Sequence, residues 1–500
     1  MTLAIEYILV GAAALILICI IANKASGRLG VPALIIFILV GMIAGSEGPG
    51  EIYFDDPLIA QSIGVIALAL ILFSGGIDTR WSEVKPIITH GISLSTAGVV
   101  LTALIIGVFA VLVLGFSPIE GFLLGAIVSS TDAAAVFATL RSRQASLKGA
   151  VRPLLEFESA SNDPMAVFLT LGAITLLLQQ GSSILTLIPL FVQQMVIGGL
   201  LGYALGKITV YLINALKLEY VGLYAVLTLA MAVFTYSISV IVGGNGFLAT
   251  YIAGLVLGNS TFVHKSSVIR FHEGIAWLMQ IAMFLALGLL VFPSQLIHVL
   301  IPGIILSLIL IFIAPPVAVH LAILPWKMER HEKVMVSWVG LRGATPIVLA
   351  TFPLLAGVPQ AHMIFNLVFF IVITSALLHG TSIPFVARVL GLAAPLSGRS
   401  RFTMELEPQE DFQSELVELE IPPGSPAIRK EIVKLGLPAG TLIILIAKGK
   451  EQFVPRGGTV LEEGDTLLIL TPSDKTDLVR SLIIPGEKSS STDRVETSPR

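Results

Sequence analysis

The chain has 500 residues, of which 55% are hydrophobic and 13% are charged, and its mean hydropathy is +0.92. Ordinary soluble domains carry about 25% charged residues, so this composition excludes a soluble globular protein and indicates a polytopic membrane protein. The net charge is −3, and the single cysteine, Cys19, excludes disulfides and cysteine-rich metal sites.

About 13 apolar segments long enough to cross a bilayer are predicted within residues 1–395. The first has no basic leading region and no small-residue cleavage site, so we interpret it as a span and not as a signal peptide. All are predicted as helices, which makes the membrane part all-α. The predicted spans are 4–22, 31–45, 58–76, 87–114, 119–140, 154–179, 184–214, 221–241, 246–258, 271–291, 296–324, 332–352 and 362–388.

Lysine and arginine segregate to one side of these spans. Basic residues follow the odd-numbered spans, as Lys24 and Arg28 do after the first, whereas loops after even-numbered spans, such as 46–57 and 353–361, contain none. Basic loops tend to stay in the cytoplasm. This pattern predicts an N-terminus outside, a C-terminal domain in the cytoplasm and an odd number of spans.

The sixth predicted span carries Glu158, Ser159, Asn162 and Asp163 at membrane depth. An ionisable group there is a functional hypothesis by default. On a helix Ser159 and Asp163 share a face, as do Glu158 and Asn162, and their oxygen atoms suit Na⁺ or K⁺. Burial disfavours an ionised carboxylate, so a proton and a cation compete at Asp163. The alternative is a buried polar cluster that only locks helices together.

Two further spans are interrupted by polar residues or by glycine and proline. Residues 129–132 interrupt the fifth span and residues 340–346 the twelfth. Broken helices line ion sites in inverted-repeat transporters; the alternatives are a hydrophilic helix face for the first segment and a loop for the second. Arg342 lies deep in the twelfth span, and we interpret it as the counter-charge of a buried carboxylate: Asp132, Glu158 or Asp163.

Three motifs together resemble the NhaP-like branch of the monovalent cation:proton antiporters. They are Glu-Ser-x-x-Asn-Asp-Pro at 158–164, Ser-Thr-Asp-Ala-Ala-Ala-Val at 130–136 and Gly-Leu-Arg-Gly-Ala at 340–344. The similarity covers nearly all of residues 1–395. It implies an inverted-repeat antiporter fold with two broken crossing helices, in a homodimer of the bacterial inner membrane that works by elevator-like movement of a core domain. Members with asparagine before the aspartate are typically electroneutral.

The resemblance also implies roles for individual residues. The implied ion- and proton-binding residues are Asp163, Glu158, Ser159 and, through its backbone oxygen, Thr131, and Asn162 and Asp132 would organise the helix crossing. One position departs from the family. Many relatives have an arginine that pairs with the glutamate where this chain has Pro315. Either Arg342 replaces that base, or Glu158 is protonated at neutral pH.

The composition changes after about residue 391, and residues 396–500 carry a net charge of −4 against +1 for residues 1–395. We predict a linker at 396–413, a small cytoplasmic α+β domain at 414–485 and a disordered tail at 486–500. The predicted strands are 414–421, 441–447, 452–455 and 465–470, with a short helix at 426–435.

This domain resembles the C-terminal subdomain of RCK-type regulators of potassium transport, over 416–421, 426–435, 440–447 and 464–470. Such modules dimerise and bind small regulators, among them cyclic dinucleotides. No Gly-x-Gly-x-x-Gly follows a strand, so we expect no Rossmann nucleotide site. A dimerisation scaffold and a sensor both stay open, and the presence of the domain favours K⁺ over Na⁺.

We therefore predict a secondary active antiporter that exchanges a monovalent cation, K⁺ before Na⁺, for H⁺. It is predicted not to be an enzyme, to have no cofactor apart from a regulator of the C-terminal domain, and to have no nucleic-acid partner. The alternatives are a cation channel and a membrane receptor regulated by the cytoplasmic domain. A channel conducts passively through rings of carbonyls or charges, and no Thr-Val-Gly filter segment occurs in the sequence.

Overall fold

The chain forms two compact units, Met1–Leu396 and Ser397–Arg500. The computed structural model describes residues 5–29, 32–143, 145–179, 183–395, 414–449, 451–472 and 475–484. The predicted linker at 396–413 and the predicted tail at 486–500 lie outside these residues.

The first unit is built from helices. In chain order they are α1 (Ile5–Leu29), α2 (Ala33–Ala44), α3 (Pro57–Asp78), α4 (Trp81–Val84), α5 (Ile88–Ser93), α6 (Val99–Leu114), α7 (Pro118–Ile127), α8 (Ala133–Ser142), α9 (Val151–Leu178), α10 (Ile184–Leu216), α11 (Val221–Ile241), α12 (Gly246–Gly258), α13 (Lys265–Leu289), α14 (Pro293–His298), α15 (Leu300–Phe312), α16 (Ala314–Ala322), α17 (Arg330–Trp338), α18 (Ala344–Ala356) and α19 (Ala361–Val389). A 3₁₀ turn, Lys85–Ile87, and a π-helical turn, Leu94–Gly98, join α4, α5 and α6.

Among the described residues, nine helical segments are long and apolar enough to cross a membrane. Four shorter apolar helices accompany them: α2, α7, α12 and α18. Each of the 13 predicted spans overlaps one of these long or short helices. The polytopic, mostly helical architecture is thus confirmed, whereas the number of crossings stays a prediction.

The two predicted interruptions are present. The helix that begins as α7 ends at Ile127 and restarts as α8 at Ala133, and α17 ends at Trp338 before α18 starts at Ala344. The two gaps meet, because the amide of Asp132 donates to the carbonyl oxygen of Leu341 at 2.8 Å. The continuous helix α9 runs beside this crossing.

Helix α10 packs closely on α12 through three glycines four residues apart, Gly198, Gly202 and Gly206. A Cβ at Gly198 would come within 2.6 Å of the carbonyl oxygen of Asn245. Small residues on one helix face let two backbones approach in a membrane. The start of α12 is therefore fixed against α10.

A short antiparallel strand pair was not predicted from the sequence. Strand β1 (Ala145–Leu147) lies between α8 and α9, and β2 (Ala393–Pro395) follows α19. Three residue pairs join them, and the amide of Lys148 donates to the carbonyl of Leu392 at 2.9 Å. The end of the first unit is thus hydrogen-bonded to the connection between α8 and α9.

The described residues of the second unit form a four-stranded antiparallel sheet and one helix. The strands are β3 (Ser414–Glu420), β4 (Leu442–Lys448), β5 (Glu451–Phe453) and β6 (Thr466–Pro472), in the order β3-β6-β4-β5, and the helix is α20 (Thr476–Ile483). Apolar residues of the sheet and of α20, such as Ile446, Ile469 and Val479, form its core.

The prediction of a helix at 426–435 is wrong, because the structure has only a 3₁₀ turn there, Ile432–Lys434. Arg429 has a φ of 63°, which interrupts a right-handed helix. Its amide donates to the carbonyl of Leu461, and that of Ile432 donates to Thr459. The backbone of residues 426–435 therefore forms hydrogen bonds with the loop at 459–461 instead of the internal hydrogen bonds of a helix.

Candidate functional site

Asp163 lies in the middle of α9 and is 6% exposed. Its Oδ1 accepts a hydrogen bond from the hydroxyl of Ser130 at 2.5 Å. Within the described ranges, no lysine, arginine or histidine nitrogen lies within 4 Å of this carboxylate. A buried carboxylate without a basic partner requires a proton or a cation to balance its charge.

Asn162 connects Glu158 of α9 with Thr131 of the first interruption. Its Nδ2 donates to Thr131 Oγ1 at 2.6 Å and to Glu158 Oε1 at 2.9 Å. The Thr131 hydroxyl in turn donates to Glu158 Oε2 at 3.0 Å. Each oxygen of the Glu158 carboxylate thus has one donor and retains a lone pair for a further ligand.

Ser159 holds the unwound segment against α9. Its hydroxyl donates to the carbonyl of Thr131 at 3.0 Å and accepts from the amide of Ala133 at 2.9 Å. These bonds satisfy two backbone groups that the interruption removes from helical bonding. Both the Ser159 hydroxyl and the Thr131 carbonyl oxygen keep one free lone pair.

Arg342 is 1% exposed and contacts backbone instead of a carboxylate. Its Nη1 donates to the carbonyl oxygens of Ser129 and Ser130, at 2.8 and 2.9 Å. In the part of the chain that the structure describes, it forms no ion pair within 4 Å, so the expected direct pairing with a buried acid is absent. A cation at the carboxyl end of a helix offsets its dipole. Arg342 therefore offsets the dipole at the end of α7 through direct hydrogen bonds, and its charge also attracts the Glu158 carboxylate across the cavity that both residues line.

Asp132 has the complementary place at the start of a helix. Its Oδ1 accepts from the amide of Ala135 at 3.0 Å, which caps α8. Its carboxylate also lies against Gly343, the residue that precedes α18. An acid at the amino end of a helix is favoured by the dipole, so Asp132 and Arg342 stabilise opposite ends of the broken helices.

Replacing Gly343 with alanine is expected to destabilise the protein by about 1–3 kcal/mol, as overpacking of a filled interior does. A Cβ at this position would overlap the Asp132 carboxylate. Gly340→Ala is the matched control, since its Cβ would meet Pro315 Cγ at 3.7 Å, an ordinary contact. Thermal melting of the purified variants in detergent compares them, and equal melting temperatures would contradict the expected overlap.

A cavity of about 40 Å³ lies beside this cluster, lined by Thr131, Glu158, Pro315 and Arg342 among others. Such a volume admits water. Pro315 contributes an apolar wall to this cavity. The cavity therefore gives Glu158 no cationic neighbour from α16.

All seven predicted site residues come together at the crossing of the two broken helices with α9. They are Thr131, Asp132, Glu158, Ser159, Asn162, Asp163 and Arg342. Three contributing residues were missed: Ser130, Ser375 and Thr345, whose side chain interacts with the Asp163 carboxylate. Ser130, the donor to Asp163, lies in the interrupting segment that the sequence singled out, whereas Ser375 of α19, which accepts from the amide of Arg342 at 3.1 Å, carries no sequence signal.

The described residues contain no group of three or more histidine, cysteine, aspartate and glutamate side chains that could hold a metal ion. The site offers oxygen atoms of carboxylates, hydroxyls and a backbone carbonyl instead. Such ligands suit a monovalent cation that enters and leaves as a substrate.

Two interrupted helices that cross beside a buried, unpaired carboxylate define a secondary transporter of ions. The profile of the transmembrane sodium/hydrogen exchangers matches residues 13–389, and that of the TrkA-C domain matches residues 416–484. The chain belongs to the sodium/hydrogen exchanger family and carries a C-terminal TrkA-C domain. Its class of function is cation/proton antiport, and no enzymatic family is indicated.

Two curated relatives cover most of the chain. It is 40% identical to the K⁺/H⁺ antiporter NhaP of Alkalimonas amylolytica, over 91% of this chain and 79% of the relative. It is 39% identical to the K⁺/H⁺ antiporter NhaP2 of Shewanella oneidensis, over 95% of this chain and 83% of the relative. Among solved structures, the sodium proton antiporter MjNhaP1 of Methanocaldococcus jannaschii has the same fold, with a TM-score of 0.66 and 24% identity over 77% of this chain and 99% of that one.

Proposed function

We propose that the protein exchanges K⁺, and less effectively Na⁺, for H⁺ in an electroneutral cycle in which cation and proton compete at Asp163. The observation that carries this proposal is the burial of Asp163 without a basic partner among the described residues. A carboxylate in this state is neutral with either a proton or a cation bound, and the two states exclude each other.

The proposed cation ligands come from α9 and from the unwound segment that crosses it. They are Asp163, Glu158, Ser159 and the backbone oxygen of Thr131, and each keeps a lone pair that no hydrogen bond in the described structure uses. Oxygen ligands of this kind hold K⁺ and Na⁺ alike, so the preference for K⁺ has other support. The relatives at 40% and 39% identity are named K⁺/H⁺ antiporters, and the C-terminal domain resembles regulators of potassium transport over the segments given above.

The proposed stoichiometry rests on Asn162. Its carboxamide occupies the position next to Asp163 and donates to Glu158 and Thr131. A carboxamide does not ionise, so this position adds no second proton to the cycle. One cation then replaces one proton, which moves no net charge.

The remaining proposals concern assembly and place. We infer a homodimer in a bacterial inner membrane, with the N-terminus outside and the TrkA-C domain in the cytoplasm. The segregation of basic loops supports this orientation. A small molecule or nucleotide is the proposed regulator of the TrkA-C domain.

The proposal is tested with purified protein in proteoliposomes that carry an imposed pH gradient and a pH-sensitive dye. Pulses of K⁺, Na⁺, Rb⁺ and Li⁺ are compared, with and without an imposed membrane potential. We expect K⁺ to dissipate the gradient at the lowest concentration, at a rate that the potential does not change. No response to any cation would overturn antiport, and cation flux without proton movement would indicate a channel.

Replacing Ser130 with alanine is expected to raise the K⁺ concentration for half-maximal exchange about tenfold or more, because a hydrogen bond to a charged group contributes about 1.5–3 kcal/mol. The variant removes the hydrogen bond that Ser130 donates to the ionised Asp163 carboxylate, the form that binds the cation. Ser129→Ala is the control, since the Ser129 hydroxyl donates to the carbonyl of Ala126 within its own turn. Equal half-maximal K⁺ concentrations in the two variants would contradict a role of Ser130 in cation binding.

A further inference from the structure

Asn245 stands at the start of α12 and is fixed there by three hydrogen bonds. Its Oδ1 accepts from the amide of Leu248 at 3.0 Å, which caps the helix, and its backbone oxygen accepts from Ala249. Its amide donates to the carbonyl of Gln194 in α10 at 2.9 Å. Because Gly198 leaves no space between the two backbones, Asn245 belongs rigidly to the α10–α12 pair.

The remaining polar group of Asn245 reaches a different helix. Its Nδ2 donates at 3.0 Å to the carbonyl oxygen of Pro164, the residue that follows Asp163 in α9. Asn245 is 4% exposed, so this bond lies in the interior of the unit. Of the side-chain hydrogen bonds in the described ranges, it is the one that joins α9 to α10 or α12.

The contact falls at a weak point of α9. Pro164 has no amide hydrogen, so the helix lacks the bond that this residue would otherwise donate to Ala160. The Asp163 carboxylate is attached to the same turn. A donor from α12 to this turn therefore fixes the depth of Asp163 relative to α10 and α12.

We propose that Asn245 is a positioning residue for the exchange reaction, which holds Asp163 in the conformation seen here through its bond to Pro164. This proposal rests on the proposed function and adds a residue outside the crossing of the broken helices. The bond must break whenever α9 moves relative to the α10–α12 pair. The Asn245–Pro164 hydrogen bond thus determines the fraction of molecules in which Asp163 has the position seen here.

The test is Asn245→Ser, because serine keeps an oxygen that caps α12 but does not reach Pro164. We expect hydrogen exchange of the α9 amides at 157–168 to increase about fivefold, the effect of one buried neutral hydrogen bond. The K⁺ concentration for half-maximal exchange is expected to rise by up to the same factor, since a binding-competent conformation that is less populated lowers apparent affinity. A purely structural role would lower the maximal rate and leave the half-maximal concentration unchanged.

Asn259→Ser is the matched control at the other end of α12. Its side chain donates to the carbonyls of Thr79 and Leu255 and does not contact α9. Equal effects of the two variants, or no change in Asn245→Ser, would overturn the proposal. If Asn245→Ser fails to fold, Asn245→Asp replaces it, since aspartate keeps the capping oxygen and the size but places an oxygen against Pro164. Inactive wild-type protein would overturn the proposed function, whereas faster α9 exchange would still identify the contact.

Discussion

Replacing Asp163 with asparagine is expected to abolish cation-dependent dissipation of a pH gradient. Asparagine has nearly the same shape and can still accept the hydrogen bond from Ser130, so the fold should persist. It neither ionises nor carries a transferable proton. Both half-reactions therefore lose their shared group, and the rate in proteoliposomes should fall to that of protein-free vesicles for every cation.

Asp132→Asn is the informative comparison for this prediction. Asp132 caps α8 through Oδ1, and the carbonyl oxygen of an asparagine accepts the same hydrogen bond from Ala135. We therefore expect reduced but measurable exchange in this variant. Residual exchange in Asp163→Asn, or complete loss in both variants, would contradict the assignment of Asp163 as the group for which cation and proton compete.

Replacing Arg342 with methionine is expected to lower the folded yield and the melting temperature strongly and to remove exchange. Methionine fills much of the same volume but donates no hydrogen bond, so the carbonyls of Ser129 and Ser130 lose their donor. Leaving a buried acceptor unsatisfied costs about 1–3 kcal/mol. Two acceptors at the end of α7 make this a large fraction of the stability of a typical domain.

Arg388→Met serves as the control for Arg342→Met. Arg388 is exposed, and its Nε donates to a single carbonyl in its own helix, Pro384, at 3.3 Å. We expect its melting temperature to lie close to that of the wild type. If Arg342→Met and Arg388→Met had the same melting temperature, the stabilisation of the helix crossing by the buried guanidinium would be refuted.

The helices of the membrane unit could be predicted because long apolar runs and their interruptions are local features of the sequence. The i, i+4 spacing likewise placed Glu158 with Asn162, and the structure joins them through the Asn162 carboxamide. Strands β1 and β2 were missed because three residues each show no period, and their pairing joins positions about 250 residues apart.

The partner of Arg342 was not predictable for a different reason. A sequence identifies side chains that are acidic, but it does not show which backbone carbonyls a broken helix leaves free. The choice between Ser129 and Ser130 as donor to Asp163 depends on the rotation of the unwound segment. Residue type alone does not determine that rotation.

The pairing of β1 with β2 matters for any shortened form of this protein. A chain that ends after Pro395 keeps all three residue pairs of the strands, whereas one that ends after Leu390 removes β2 and leaves backbone groups of β1 without partners. The connection that β1 forms leads from the capped helix α8 directly into α9. Loss of transport in the shorter form, with transport retained in the form that ends after Pro395, would therefore report damage to the membrane unit and not the absence of the TrkA-C domain.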